Sequence, residues 1–321
     1  MASTITGNSG RVYEQGAVLQ KHLQDPNRSV FKAKSGDEFF AFKRVPRPFY
    51  DESQRLAADL AGSRRLRLHV DANETENILI YRYFRGTLLG LLRDDPDLPF
   101  GERRKILRYV GEAIQELHHK SWIHIDVKPD NVFLDWTTPD NASHQKTVTD
   151  AVLGDFDIAF RSENGQPRHT PYAIGNAMWR SLEGQTGTAT RASDVFSFGL
   201  VCIYALGGGD LLLLENYQEL VQRGIPPEQE IVTRHFAYFG RVCEGLLQQV
   251  QSEIWKRALR GASAAAEKQV EHRPELRFAY WGQELGPAAQ EMIAAMTNPD
   301  PTARPTIDNV LESPFWQDDD V

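Results

Sequence analysis

His124-Ile125-Asp126-Val127-Lys128-Pro129-Asp130-Asn131, with Asp155-Phe156-Asp157 following further along the chain, gathers an unusual density of chemistry. The octet brings together a carboxylate, an ammonium and a carboxamide, and the second segment adds another acid. Such a set can orient a hydroxyl nucleophile, offset phosphate charge and hold a hard divalent cation through oxygen ligands. An isolated His-x-Asp triplet arises by chance. The plain alternative is a pair of loops carrying capping Asp and Asn side chains.

The flanks fit the same reading. Ile106, Leu107, Val110, Ile114 and Leu117 recur at helical spacing and place a long amphipathic helix just before the octet. The first 84 residues read mainly as strand and turn: Val18–Leu23, Val30–Ala33 and Phe39–Lys43 as short strands, with turns at Asp25-Pro26-Asn27 and Ser35-Gly36-Asp37. A helix is expected over roughly Glu52–Leu66 and a further strand over Ile78–Tyr81, after which helices dominate. The segment Val195–Leu206 is apolar on every side, as a helix at the centre of a large lobe would be. Gly207, Gly208, Gly209 and Asp210 interrupt the apolar run, which falls short of a membrane span.

Bulk properties exclude some classes. A chain of 321 residues exceeds the comfortable size of one core, so two lobes are expected. The formal net charge of -8 gives no reason to expect nucleic acid or an anionic membrane as partner. Cys202 and Cys243 suggest neither a disulfide framework nor a zinc site. No basic region followed by an apolar core opens the chain. An intracellular setting, cytoplasmic or nuclear, is therefore expected. The tail Asp318-Asp319-Asp320 reads as a solvated end.

The octet and the Asp-Phe-Asp segment resemble the catalytic loop H-R-D-L-K-P-x-N and the metal motif D-F-G of eukaryotic-type protein kinases. The resemblance covers about Tyr13 to Trp316. It implies an α+β bilobal fold in a single domain over 1–321, with a β-rich N-lobe over about 12–84, a hinge at about 82–86 and a helical C-lobe over about 87–316. A helical insertion is expected at about 209–286, a possible docking place for a protein partner, and a smaller expansion over Trp136–Asp150.

The resemblance also implies roles. Asp126 would be the catalytic base, Lys128 would stabilise charge on the transferring phosphoryl group, and Asn131 and Asp155 would hold Mg²⁺. Lys43, in Ala41-Phe42-Lys43, would meet the phosphates of ATP. Strand alternation places Ala41 and Lys43 on one face and Phe40 and Phe42 on the other. Val30, Ala41 and Phe133 would sandwich the purine, with Tyr81 as gatekeeper and Arg82, Tyr83 and Phe84 as hinge. The acid that steadies Lys43 is open between Asp59 and Glu52. Glu183, in Gly175–Glu183, would pair with Arg304 inside the large lobe, and Asp194 and Gly199 would open the central helix.

Departures from the pattern matter as much. The three glycine positions of the phosphate-covering loop hold Leu23, Asp25 and Arg28, so backbone amides cannot approach phosphates as glycines allow. Arg28 is the residue that would compensate for Asp25. Asp157 replaces the Gly of the metal motif, and Asn176 replaces a Thr that bridges base and lysine. Ile125 replaces an Arg that receives a phosphorylated activation loop, which implies activity without that switch. Lys128, two places after Asp126, resembles the serine/threonine kinases, and Lys128-Pro129 with the Glu183 and Arg304 pair speaks against a small-molecule phosphotransferase. The leading expectation is an ATP- and Mg²⁺-dependent protein serine/threonine kinase; the alternative is a pseudokinase, a nucleotide-binding or scaffolding module.

Overall fold

The computed structural model describes residues 3–138, 145–212, 214, 217–224 and 226–317. The Asp318–Asp320 tail lies outside them, as do residues 139–144 of the smaller expansion and the opening pair of residues.

The N-terminal region is built on one antiparallel sheet of six strands: β1 (Thr4–Thr6), β2 (Val12–Gln20), β3 (Val30–Ser35), β4 (Glu38–Arg44), β5 (Asp71–Asn73) and β6 (Ile78–Arg82), in the spatial order β1-β2-β3-β4-β6-β5. Alternation along β4 sorts its faces as expected. Phe40 and Phe42 join Ile5, Tyr13, Ala33, Ile78 and Ile80 in a buried cluster, while Ala41 and Lys43 stand opposite Tyr81 and Leu79 on the other face. Fully burying an aromatic or branched side chain contributes about 1.5–3 kcal/mol, so this cluster holds the small lobe.

Two expected boundaries shift. The strand predicted over Val18–Leu23 is the end of β2, which stops at Gln20 because residues 21–29 fold back on themselves. The helix predicted over Glu52–Leu66 is α1, Arg47–Asp59, between β4 and β5. Pro46 and Pro48 start it early, since proline's fixed φ suits a first turn, and Gly62 follows its end at φ 87°.

After β7 (Gly86–Thr87) come α2 (Leu88–Asp94), α3 (Phe100–His119), β8 (Trp122–Ile123), β9 (Val132–Thr137) and β10 (Thr147–Leu153). The periodic residues Ile106, Leu107, Val110, Ile114 and Leu117 of α3 are all buried, and β9 and β10 form a hairpin behind the octet. Short strands β11 (Phe160–Arg161), β12 (Arg168–His169) and β13 (Thr188–Ala189) brace the segment that follows.

The central helix α4 (Arg191–Ile203) is buried from Ser193 onward. It unwinds through a wide turn at Tyr204–Gly208, where Gly207 takes φ 113°. The remaining helices are α5 (Gly209–Leu212), α6 (Tyr217–Gln222), α7 (Pro227–Phe239), α8 (Glu244–Gln249), α9 (Glu253–His272), α10 (Phe278–Trp281), α11 (Pro287–Met296) and α12 (Ile307–Leu311). The helical run read over Gly245–Ala266 is divided between α8 and α9. Val232, Phe236, Leu246, Leu247, Leu259 and Ala266 form a separate core that includes Leu182, so the inserted helices are packed onto the end of the 155–183 segment. No described helix is long and apolar enough to cross a membrane.

Candidate active site

Asp194, fully buried in the first turn of α4, organises the octet. Its Oδ2 accepts from His124 N at 2.8 Å and its Oδ1 from Ile125 N at 2.8 Å, while His118 Nε2 lies 2.9 Å from Oδ2. An acid in this position also suits the positive end of the helix. The backbone is thereby pinned through Ile125, a β-branched residue at φ 69°, a conformation that persists only where its surroundings impose it. His124 Nδ1 accepts from Asp126 N at 3.2 Å, so its Nε2 carries the proton that Gly154 O accepts at 3.1 Å. The imidazole thus ties the octet to the residue before Asp155.

The Asp126 carboxylate is held from three sides. Lys128 Nζ donates to Oδ2 at 2.5 Å, Asn131 Nδ2 donates to Oδ2 at 3.2 Å and to the Asp126 carbonyl at 2.8 Å, and Asn176 N donates to Oδ1 at 2.9 Å. Asn176 therefore works through its main chain. Its side-chain Oδ1 accepts from Met178 N at 3.0 Å, and no bridge from that amide to Lys128 forms among the described residues. With its NH₂ group turned to Asp126, Asn131 keeps its Oδ1 as an available ligand.

Lys43 reaches across from β4. Its Nζ donates to Asp155 Oδ1 at 2.9 Å and to Asp157 Oδ1 at 2.5 Å. Burial would lower the Lys43 pKa, but Asp155, Tyr81 and Asp157 outweigh it and the group is held above the ordinary lysine value. Burial likewise pushes Asp155 up, and Lys43, Lys128 and His124 bring it below the ordinary carboxylate range. Neither expected helix acid takes part. Glu52 pairs with Arg55 at 3.0 Å, and Asp59 accepts from Trp122 Nε1 at 2.9 Å. The expected Asp59 or Glu52 partner is thus corrected to Asp157, since α1 starts early and turns its acids elsewhere.

Around the purine position, Ala41 is buried on the Lys43 face, Val30 begins β3 half-buried, and Phe133 lies on β9. The Tyr83 N–H is committed to Phe39 O at 3.3 Å, and its ring sits with Phe39 beside the Lys32 ammonium, 4.3 Å from the Tyr83 centroid. The sequence reading missed Arg67. Its guanidinium lies 4.1 Å over the Phe133 ring and donates from Nε and Nη2 to Arg82 O at 3.2 and 3.0 Å. The sequence carries no clear signal for it, because Arg67 follows Arg64 and Arg65 in a cation-rich run.

The loop that would cover phosphates is internally satisfied. His22 Nδ1 accepts from Gln24 N and Asp25 N at 3.3 and 3.0 Å, and Asp25 Oδ1 accepts from Asn27 N at 2.9 Å. Leu23 is fully exposed, and Arg28 pairs with Asp25 at 3.5 Å. Arg28 thus neutralises the nearby acid within the loop itself.

Behind the site, Arg304 Nη1 and Nη2 donate to Glu183 Oε1 and Oε2 at 2.7 and 3.0 Å, both side chains being wholly buried. Ser193 Oγ accepts from Thr190 N at 3.0 Å and donates to Glu183 Oε1 at 2.8 Å, which locks the 155–183 segment to α4.

Among curated proteins, the L-type lectin-domain containing receptor kinase S.1 of Arabidopsis thaliana is 32% identical over 143 residues, 42% of this chain and 20% of its own. A probable serine/threonine-protein kinase of Clostridium perfringens is 26% identical over 219 residues, 66% of this chain and 30% of its own. The serine/threonine-protein kinase/endoribonuclease IRE1 of Oryza sativa is 26% identical over 235 residues, 72% of this chain and 20% of its own. The chain spans between 20 and 30% of the length of these relatives. The protein kinase domain family matches residues 30–316, and with the β-rich N-terminal region, helical C-terminal region and pinned octet described above, the chain belongs to the protein kinase family.

Proposed function

We propose that this protein is a serine/threonine kinase that transfers the γ-phosphoryl group of ATP to protein hydroxyls with Mg²⁺. The observation that carries this reading is the Asp126 carboxylate, fixed by Lys128, Asn131 and the Asn176 N–H, with Asn131 Oδ1 left for a cation. Asp126 accepts the hydrogen of the substrate hydroxyl and aims its oxygen; Lys128, within hydrogen-bond reach of that carboxylate, offsets charge on the phosphoryl oxygens.

The residues fit the metal and the nucleotide. Asp155 and Asn131 offer hard oxygen donors, and among the described residues no cluster of three or more His, Cys, Asp or Glu could hold a metal. A site of this kind is completed by phosphate oxygens, the usual arrangement for Mg²⁺. Two ammonium groups, Lys43 and Lys128, stand against three carboxylates, Asp126, Asp155 and Asp157, so a triphosphate needs an accompanying cation. When bound, Mg²⁺ would neutralise charge on the phosphates. Lys43 orients the phosphates from β4, and Val30, Ala41 and Phe133 enclose the base.

A pseudokinase is the second reading, favoured by the self-bonded 21–29 loop and by Lys43 being shared between two acids. The test is incubation with labelled ATP, Mg²⁺ and generic protein substrates, compared with Asp126→Asn and with Mg²⁺ removed. Transfer that depends on both supports the kinase; thermal stabilisation by ATP without transfer supports the pseudokinase. The helices of 209–286 are proposed as the docking region for a protein partner. The two unpaired cysteines support a reducing intracellular setting, cytoplasm or nucleus.

A further inference from the structure

Arg67 stands where a nucleobase would stand. Its backbone is fixed by Arg67 N donating to Leu153 O at 2.7 Å, and its side chain passes Gly154, where a Cβ would come within 2.9 Å of Arg67 Cβ and 3.0 Å of the Phe133 ring. The bare glycine leaves this passage open. At its end the guanidinium is planar, stacked on Phe133 and hydrogen-bonded to the carbonyl of Arg82 in the hinge. Those are the two features by which a purine with an exocyclic amine would seat itself: a flat face on an aromatic floor and an N–H on a backbone acceptor.

The arginine is held weakly for a charged group. Among the described residues no carboxylate pairs with it; its contacts are one neutral carbonyl and the rings of Phe133, Tyr81 and Phe84. Two acids beside the hinge are already engaged, since Arg82 takes Asp135 and Asp150 at 2.7 Å each. Burial lowers the Arg67 guanidinium to about 10, partly opposed by Tyr81 and Asp155, which leaves it charged at neutral pH. Beside it opens a cavity of about 580 Å³ lined by Arg67 itself and by Ala57, Ala61, His69, Val70 and Asp150. That space can receive the displaced side chain; the carboxylate on its wall is Asp150, shared with Arg82, and Arg64 and Arg65 also line it.

We propose that Arg67 is a resident competitor of the nucleobase, closing the hinge in the nucleotide-free protein and withdrawing into the adjoining cavity when a purine nucleotide enters. The inference rests on the reading that this cleft takes a nucleotide. It makes Arg67 a determinant of affinity acting on the base and independent of the phosphates.

The experiment titrates the full chain, Arg67→Val and Arg67→Lys with a fluorescent ATP analogue and Mg²⁺, and repeats the titration by displacement with adenosine. Arg67→Val is expected to tighten both ligands by about tenfold, ~1.4 kcal/mol. Arg67→Lys should fall between, because an ammonium lacks the planar fork that stacks and donates twice. Melting without nucleotide verifies that each variant is folded; if the valine variant is not, the lysine variant carries the test. Unchanged or weaker binding in the folded variants overturns the proposal, as does absence of binding in all three proteins. Phosphoryl transfer is assayed separately. Tighter binding without transfer keeps the competitor and removes the kinase reading; transfer with unaltered affinity does the reverse.

Discussion

Lys43 and Asp157 are joined at 2.5 Å, so the ammonium on the small lobe is anchored from the segment that carries Asp155 and takes no acid from α1. The carboxylate stands where the family's metal motif has a glycine. The substitution and the missing helix acid therefore compensate one another, and a single stretch of chain supplies both the metal-binding carboxylate and the anchor of the lysine. With Asp157→Ala, Lys43 keeps only Asp155. The KM for ATP is expected to rise about tenfold, the effect of losing roughly 1.4 kcal/mol from a charge-assisted contact. Glu52→Gln, whose acid faces Arg55, should leave steady-state kinetics unchanged; equal behaviour of the two variants would remove the anchor assignment.

Asn176 separates a main-chain role from a side-chain one. Asp126 Oδ1 accepts from the Asn176 N–H, and the amide side chain only caps Met178 N. Asn176→Ala should hold kcat within about twofold, in line with small effects away from special features. Asn176→Pro removes the N–H itself and should lower kcat by about tenfold or more. A large loss in the alanine variant, with its melting temperature unchanged, would show that the amide matters after all.

Ile125 packs with Ile123, Ile174 and Ala189, and Ile158 and Phe160 lie against them. The segment after Asp155 is therefore docked at this point by apolar contact, where an arginine-bearing loop would need a phosphate. Protein treated with a phosphatase should keep its rate. Ile125→Arg should destabilise by several kcal/mol, because a charge enters an apolar cluster without a partner. Loss of activity on dephosphorylation would refute the first expectation, and an unshifted urea midpoint the second.

What could be read from the chain follows from how local the determinants are. The octet was legible because its functional groups are contiguous, and α3 because its apolar period is unbroken. Alternation alone placed Ala41 and Lys43 on one face of β4. Asp157 as the partner of Lys43 was not legible, since the pair depends on how two lobes close and on where α1 begins. Pro46 and Pro48, close ahead of the predicted start, begin that helix early, and Glu52 pairs with Arg55 on its own helix. The loop at 21–29 departs from the expected strand as the His22 ring nitrogen accepts from the Gln24 and Asp25 N–H groups and turns the chain back. Arg67 was hidden by its neighbours: after Arg64 and Arg65 it reads as one more solvated cation, and the bare Gly154 gives its side chain room to turn inward.

Glu183 and Arg304 form a bidentate pair with no exposed surface, tied through Ser193 to α4. Removing one partner strands a buried charge, so Arg304→Ala should cost about 3–5 kcal/mol, read as a fall in the urea midpoint at constant slope. The pair also gives stability a pH signature. Burial raises the Glu183 pKa, but Arg304 outweighs it and the folded value lies below the ordinary one. At pH below the unfolded value of about 4.3 the unfolded chain binds the proton that the folded protein refuses, so stability rises with pH there. The contribution is complete above that value and drains away as pH falls toward the folded pKa. Glu183→Gln does not titrate at this position. Its stability should start lower at neutral pH and fall less steeply between about pH 4.5 and 3 than that of the parent protein. Parallel curves over that interval would show that the Glu183–Arg304 pair is not what titrates.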